Sequence, residues 1–166
     1  RITAEACVHH LYFSRKDYEV KGSFIKCNPS IKEESDRLAL IRALKSDVLD
    51  VIATDHAPHT LAEKQNPYFK APAGLPLVQF ALPAALELYH QGHLDLTEIV
   101  TKTAHNPAKL YQVAERGYLR EGYWADLVLV DLARKYEVTR DKVLSKCGWS
   151  PFEGDVFNST ISATWV

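Results

Sequence analysis

The sequence predicts an α/β fold built on a parallel sheet, followed by a small β-rich part. Three observations carry this expectation. Residues 1–54 run strand, strand, helix, strand, the order found where helices cover a parallel sheet. Val48 to Thr54 is a continuous apolar run broken only by Asp50, and short runs of this type suit strands buried on both faces. Near residue 116 the character changes: turn-rich Gly117 to Tyr123 leads into the β-prone run Ala125 to Asp131. The expected division is therefore 1–116 and 117–166.

Ile2 to Cys7 alternates loosely and reads as a strand ending in a loop at His9-His10. Gly22 to Cys27 reads as a second short strand, closed by Asn28-Pro29, where proline keeps Asn28 extended or in a turn. Ser30 with Glu33 three residues on has the form of a capping box. Ile31 to Lys45 then places Leu38, Ile41 and Leu44 on one helical face. Asp55 to Gly74 has no clean period and reads as a long functional or mobile loop. Leu75 to Tyr89 reads as an apolar helix kinked at Pro83. Leu96 to Ala104 and Pro107 to Val113 read as shorter helices, the second capped by Asn106. Ile161 to Val166 is strand-like, and Arg1 to Ala6 starts inside another strand-like run. Unpaired strands at both ends are a liability, so the chain reads as a piece of a larger protein.

Composition is that of an ordinary globular domain, with 46% hydrophobic and 25% charged residues and a net charge of −1. That balance steers the chain neither to nucleic acid nor to an anionic membrane. No apolar run reaches the roughly 18 residues a membrane span requires. Cys7, Cys27 and Cys147 form no CxxC pair. This argues against a disulfide framework or a structural zinc knot, and for small buried residues in a reducing cytoplasm.

The chemistry-bearing residues gather at strand ends. Asp55 directly follows the buried run, and a carboxylate there can bind metal, act as a general base, or cap a loop. His56 and His59 follow, with Pro58 stiffening the loop; imidazoles there can ligate metal, bond an anionic substrate, or sit at the surface. At most one of His9 and His10 can face such a site from a strand, and the other packs beneath a loop. Glu5 suits a salt bridge better than a ligand role. Asn28 offers a donor and an acceptor just past a strand, or is a plain turn residue. Ala73-Gly74 allows close backbone approach to a ligand, or simply leads into a helix. No GxSxG elbow, phosphate-binding loop or dinucleotide fingerprint occurs.

The string Thr54-Asp55-His56-Ala57-Pro58-His59 closely resembles the signature of the dihydroorotase family within the amidohydrolase superfamily. Ile2 to Leu11 resembles the family's sixth-strand segment, with Val8 where proline is usual. Lys26-Cys27-Asn28-Pro29 resembles the seventh-strand segment, although Ser30-Ile31-Lys32 replaces the common Pro, Leu, Arg continuation. Gly122 to Leu127 resembles the superfamily's return into its small β domain, and Ser150-Pro151-Phe152-Glu153-Gly154 resembles a Thr-Pro-Phe-Glu-Gly element.

The resemblance implies a TIM-like (β/α)8 barrel with a companion β-sandwich. Residues 1–116 would supply strands six to eight with their helices, and 117–166 the C-terminal share of the sandwich. A whole barrel takes about 250 residues. The implied activity is zinc-dependent, reversible cyclisation of N-carbamoyl-L-aspartate to L-dihydroorotate in pyrimidine synthesis. One or two zinc ions are implied, with most ligands upstream of this chain. Asp55 would bind metal and shuttle the proton, while Asn28, His59 and the backbone of Ala73 and Gly74 hold the substrate. Where the family often has a larger residue at Ala73, the change touches packing more than a backbone contact. The isolated chain is expected to be inactive, with little bound zinc.

Allantoinase and dihydropyrimidinase are the neighbouring readings, and the Ala57-Pro58-His59 continuation argues against both. A non-catalytic scaffold is the rival from another class. Such relatives tend to lose metal ligands, whereas Asp55 and His59 are present here. The implied partners are the small-molecule substrate and either a second copy or aspartate transcarbamoylase.

Overall fold

The computed structural model describes residues 2–166. Strands β1 (Glu5–Cys7) and β2 (Val51–Ala53) pair in parallel, with Ala6 opposite Ile52 and Cys7 opposite Ala53. Both are shorter than expected. Ile2 and Val48 are exposed and Asp47 takes a left-handed turn, so pairing is confined to the buried stretch. Asp50 prolongs the register, accepting the Ala4 N–H on its carboxylate and donating its own N–H to the Ala4 carbonyl.

Between these strands the helices depart from several expectations. His9 and His10 lie in helix α1 (Val8–Tyr12), not in a loop. Val8 and Leu11 are fully buried three residues apart, a helical spacing that outweighs the strand-like pattern before it. After helix α2 (Tyr18–Lys21), Gly22 adopts φ 50 and opens a 3₁₀ turn over Gly22–Ile25 instead of the expected strand. The Lys26 carbonyl accepts the Gly74 N–H at 2.9 Å, so this segment finds its backbone partner in a loop and not in a sheet. Helix α3 (Glu34–Lys45) is capped by Glu33 with Asp36, not by Ser30 with Glu33. Ile31 is buried and the Lys32 carbonyl accepts the Arg15 N–H at 2.7 Å, which keeps residues 30–32 out of the helix.

Beyond β2, the long loop contains one helical turn, α4 (Leu61–Lys64), closed by a Thr60–Glu63 capping box. A 3₁₀ turn over Val78–Phe80 leads into α5 (Ala81–His90). Pro83 therefore falls in the first turn of a helix that begins at Ala81, where no intrahelical donor is needed, and not in the middle of one. Helices α6 (Leu96–Val100) and α7 (Asn106–Leu110) run on through a π turn over Thr101–His105. Asn106 is consequently inside a helix and not a cap; its side-chain amide donates to the Asp50 carbonyl at 2.7 Å, bracing β2.

The remaining strands are β3 (Leu127–Asp131), β4 (Tyr136–Glu137), β5 (Val156–Phe157) and β6 (Thr160–Trp165). β3 pairs antiparallel with β6, with a register shift between Leu129 and Val130, and β4 pairs with β5. The fold is thus mixed α/β. One apolar core joins Val8, Leu11, Ile25, Leu44 and Leu77 to Val138, Phe152 and Phe157 from the later part of the chain. Among the described residues no helix is long and apolar enough to cross a membrane.

Candidate active site

Asp55 stands two residues past β2 with φ 49, and its carboxylate is exposed. Aspartate tolerates this left-handed conformation better than most residues. Its charge is felt by the thiols of both Cys7 and Cys27, so Asp55 shares a neighbourhood with the end of β1 and the residue before Asn28. Burial is the main reason that each thiol is pushed up to about 11.

The loop behind Asp55 is fixed by polar contacts to main chain. His56 Nδ1 accepts the N–H groups of Leu77 and Val78 at 2.9 and 3.1 Å, making that ring an anchor for the loop. The Ala57 N–H reaches the Leu75 carbonyl at 2.9 Å. His59 donates Nε2–H to the Ala73 carbonyl at 3.0 Å, leaving Nδ1 as its other nitrogen. The indole N–H of buried Trp149 in turn donates to the His59 carbonyl at 2.7 Å.

Gly74 is required by sterics. At φ 139, a Cβ would meet Ala57 Cβ at 2.8 Å, the Ala57 carbonyl oxygen at 2.9 Å and the His59 ring at 2.9 Å. Asn28 is exposed beside this layer, and the Lys26–Gly74 bond ties its segment to residues 73–74. His10 donates Nε2–H to the Pro29 carbonyl at 2.8 Å, joining the same segment to α1. The structure therefore links His59, Ala73 and Gly74 directly, draws the Asn28 segment to them, and leaves Asp55 at the head of the same loop.

Two features escaped the sequence. Lys64 is fully buried, and its ammonium donates to the carbonyls of Pro72 at 2.9 Å, Gly74 at 3.0 Å and Lys26 at 3.3 Å. Burial lowers its pKa to about 8, with Lys26 adding to the fall and Cys27 opposing it. A lysine following Glu63 looks like one more charge on a solvated loop, so nothing in the sequence marks it. The second feature is a cluster in which Cys7, His9 and His10 bring one donor atom each within 4.8 Å of one another. His9 is fully buried and neither ring nitrogen has a hydrogen-bond partner. Burial, helped by His10, pushes its pKa down to about 3, so it is a neutral lone-pair donor. The Cys-x-His-His spacing was the available signal, but a strand-like period sends those side chains to opposite faces. The helical turn of α1 brings them together.

Chemistry and volume do not coincide. A cavity of about 650 Å³ lies between the helices and β3, lined by apolar groups such as Ile52, Leu82, Ile99 and Val128, and none of Asp55, Asn28 or His59 lines it. The candidate chemistry is at the exposed strand ends instead.

A parallel strand pair with helices after each strand and an exposed acidic residue at a strand end suit a hydrolase built on a β/α arrangement. The whole sequence, residues 1–166, matches the Amidohydrolase family. The chain belongs to that family. It is 43% identical over 154 residues to a dihydroorotase from Halobacterium salinarum, covering 93% of this chain and 36% of that protein. It is 40% identical over 165 residues to a dihydroorotase from a Wolbachia of Brugia malayi, covering 99% of this chain and 37% of that one. Among solved structures it resembles the L-hydantoinase (dihydropyrimidinase) of Arthrobacter aurescens, with a TM-score of 0.94, 26% identity, and coverage of 99% of this chain and 38% of the other. The chain thus spans a little over a third of the length of these relatives, and its strands and helices match part of their barrel-like β/α arrangement.

Proposed function

We propose that the protein containing this chain is a dihydroorotase, interconverting N-carbamoyl-L-aspartate and L-dihydroorotate in the cytoplasm. The observation that carries this reading is Asp55, exposed at a strand end and heading a loop in which His59, Ala73 and Gly74 are already bonded into one layer. Identity to dihydroorotases at 43% and 40% supports it. On this reading residues 1–116 complete a barrel with upstream strands, and 117–166 belong to a small β domain.

A lone carboxylate does not hold a metal; Asp55 offers one exposed oxygen ligand, and the other ligands of a zinc ion there would come from upstream of this chain. Zinc, when bound, polarises the amide carbonyl under attack. Asp55 supplies one ligand and handles the proton. In the ring-opening direction water adds to the ring amide carbonyl and its proton passes to the Asp55 carboxylate. As the C–N bond breaks, the same carboxyl group delivers that proton to the departing nitrogen. Asp55 is exposed, so its carboxylate is open to both transfers. The Nε2 contact with the Ala73 carbonyl holds the His59 ring at the loop, where it serves as the side chain that positions the substrate carboxylate. Asn28 offers a donor and an acceptor to the ring amide.

The fold likeness to a hydantoinase favours dihydropyrimidinase as the second reading. Turnover of L-dihydroorotate, hydantoin and allantoin by the full-length protein separates the two. Dihydroorotate is the expected preferred substrate; preference for either of the others overturns the first reading.

A further inference from the structure

We infer that Cys7, His9 and His10 form a buried site for one thiophilic transition-metal ion of the zinc and cadmium class, separate from any metal held at Asp55. The inference rests on this cluster alone and not on the dihydroorotase reading.

The geometry comes first. Three donor atoms lie within 4.8 Å of one another, at the junction of β1 and α1. Tetrahedral coordination with bonds of about 2.0–2.3 Å would space donors about 3.3–3.8 Å apart. The three donors therefore stand within about an ångström of coordination spacing.

The second observation is His9. It has no exposed surface, and both ring nitrogens lack a partner. An unpaired buried polar group costs about 1–3 kcal/mol. Because these nitrogens have almost no accessible surface, no group packing on from outside reaches them. One of the two can face an ion held within the cluster, since His9 contributes one converging donor atom there.

The third observation is His10. A carbonyl only accepts, so the 2.8 Å contact with Pro29 fixes the proton on His10 Nε2 and the lone pair on Nδ1. Metal-binding histidines are commonly oriented in this way, by a second hydrogen bond to a carbonyl. The donor set of one thiol and two imidazoles selects soft or borderline ions over magnesium and calcium. Binding is balanced as displacement of one proton, with Cys7 S–H and M²⁺ giving the Cys7 S–M bond and H⁺. Asp55 is not among the converging donors, and as a hard oxygen ligand it serves a different preference.

The test uses the full-length protein, stripped with a chelator and titrated with Cd²⁺ alone. A thiolate-to-cadmium charge-transfer band should appear in the ultraviolet and saturate at the intensity of one Cd–thiolate bond per protein. It should vanish in Cys7→Ser, weaken in His9→Ala, and persist in Cys147→Ser and Asp55→Ala. Should Cys7→Ser fail to fold, alkylation of the wild-type protein decides: Cd²⁺ should slow modification of Cys7 about tenfold or more. Absence of the band, its survival in Cys7→Ser, its loss in Asp55→Ala, or unprotected Cys7 would each overturn the proposal. None of these readouts depends on turnover, so this proposal and the proposed activity stand or fall separately.

Discussion

The loop from Asp55 to Leu77 and the aromatic cluster around Phe152 are held by opposite means. In the loop, side chains are bonded to main chain: His56 to Leu77 and Val78, His59 to Ala73, Trp149 to His59, and Lys64 to three carbonyls. Its own outward residues, Asp55, His56 and Pro58, are exposed and add little apolar burial. The cluster is the reverse. Phe152 is fully buried, lies 5.0 Å from Tyr12 edge-on, stacks on Phe13 at 5.3 Å, and meets Phe157 at 5.4 Å. Directed bonds set the position of a backbone but allow polar groups to remain outside. Dense apolar contact supplies stability but offers no reactive group. The contrast teaches that the candidate site rides on the first kind of support, while the second kind keeps the surrounding fold intact.

Four substitutions in the full-length protein test this contrast, the largest effect first. Asp55→Asn should cut dihydroorotate turnover by about 10²–10⁴-fold and leave the urea unfolding midpoint unchanged, because the side chain is exposed. Near-normal turnover would remove Asp55 from the proton-transfer role. Phe152→Ala should do the opposite, costing about 3–5 kcal/mol in urea unfolding while KM stays near its wild-type value in the protein that remains folded.

Lys64→Met orphans three carbonyls and should cost about 1–3 kcal/mol, with a rise in KM as residues 72–74 loosen. Its pH dependence has a definite sign. Buried Lys64 has its pKa depressed to about 8, whereas the unfolded chain keeps the ordinary value of 10.5. Between those values the unfolded state binds more protons, so wild-type stability gains a contribution as pH rises through that window. The methionine variant lacks that contribution, and the stability gap should widen between pH about 8 and about 10. A gap that narrows instead would show that the ammonium is favoured by its carbonyls more than burial disfavours it. Gly74→Ala should cost about 1–3 kcal/mol from the backbone conformation, and the added Cβ should displace the His59 ring, a shift visible in its imidazole NMR signals.

How much of this was legible varies with the range of the forces involved. The helix over 34–45 was readable because Ile41 and Leu44 repeat at helical spacing, but its cap was not. Ser30 and Glu33 have the right spacing, and only the tertiary bond from Arg15 to Lys32 shows why the helix begins later. The segment 22–27 looked like a strand because its residues are β-prone. Its backbone partner is a loop 48 residues on in sequence, Gly74 against Lys26, and local propensity carries no information about that. Pro83 was misplaced by the same limit, since its effect depends on where the helix starts.

The candidate loop is where the two sources of information separate most clearly. By itself the sequence determined the string from Thr54 to His59, its place after a buried strand, the absence of a membrane-length apolar run, and the residue types able to bind metal or move a proton. Those are local properties, written in composition and spacing. The tertiary structure decided that His56 anchors and His59 joins Ala73, that Lys64 is buried beneath them, and that Cys7, His9 and His10 converge. Each of these depends on where a side chain ends up after distant segments have packed, because desolvation and hydrogen-bond geometry are settled only once neighbours far apart in sequence are in place.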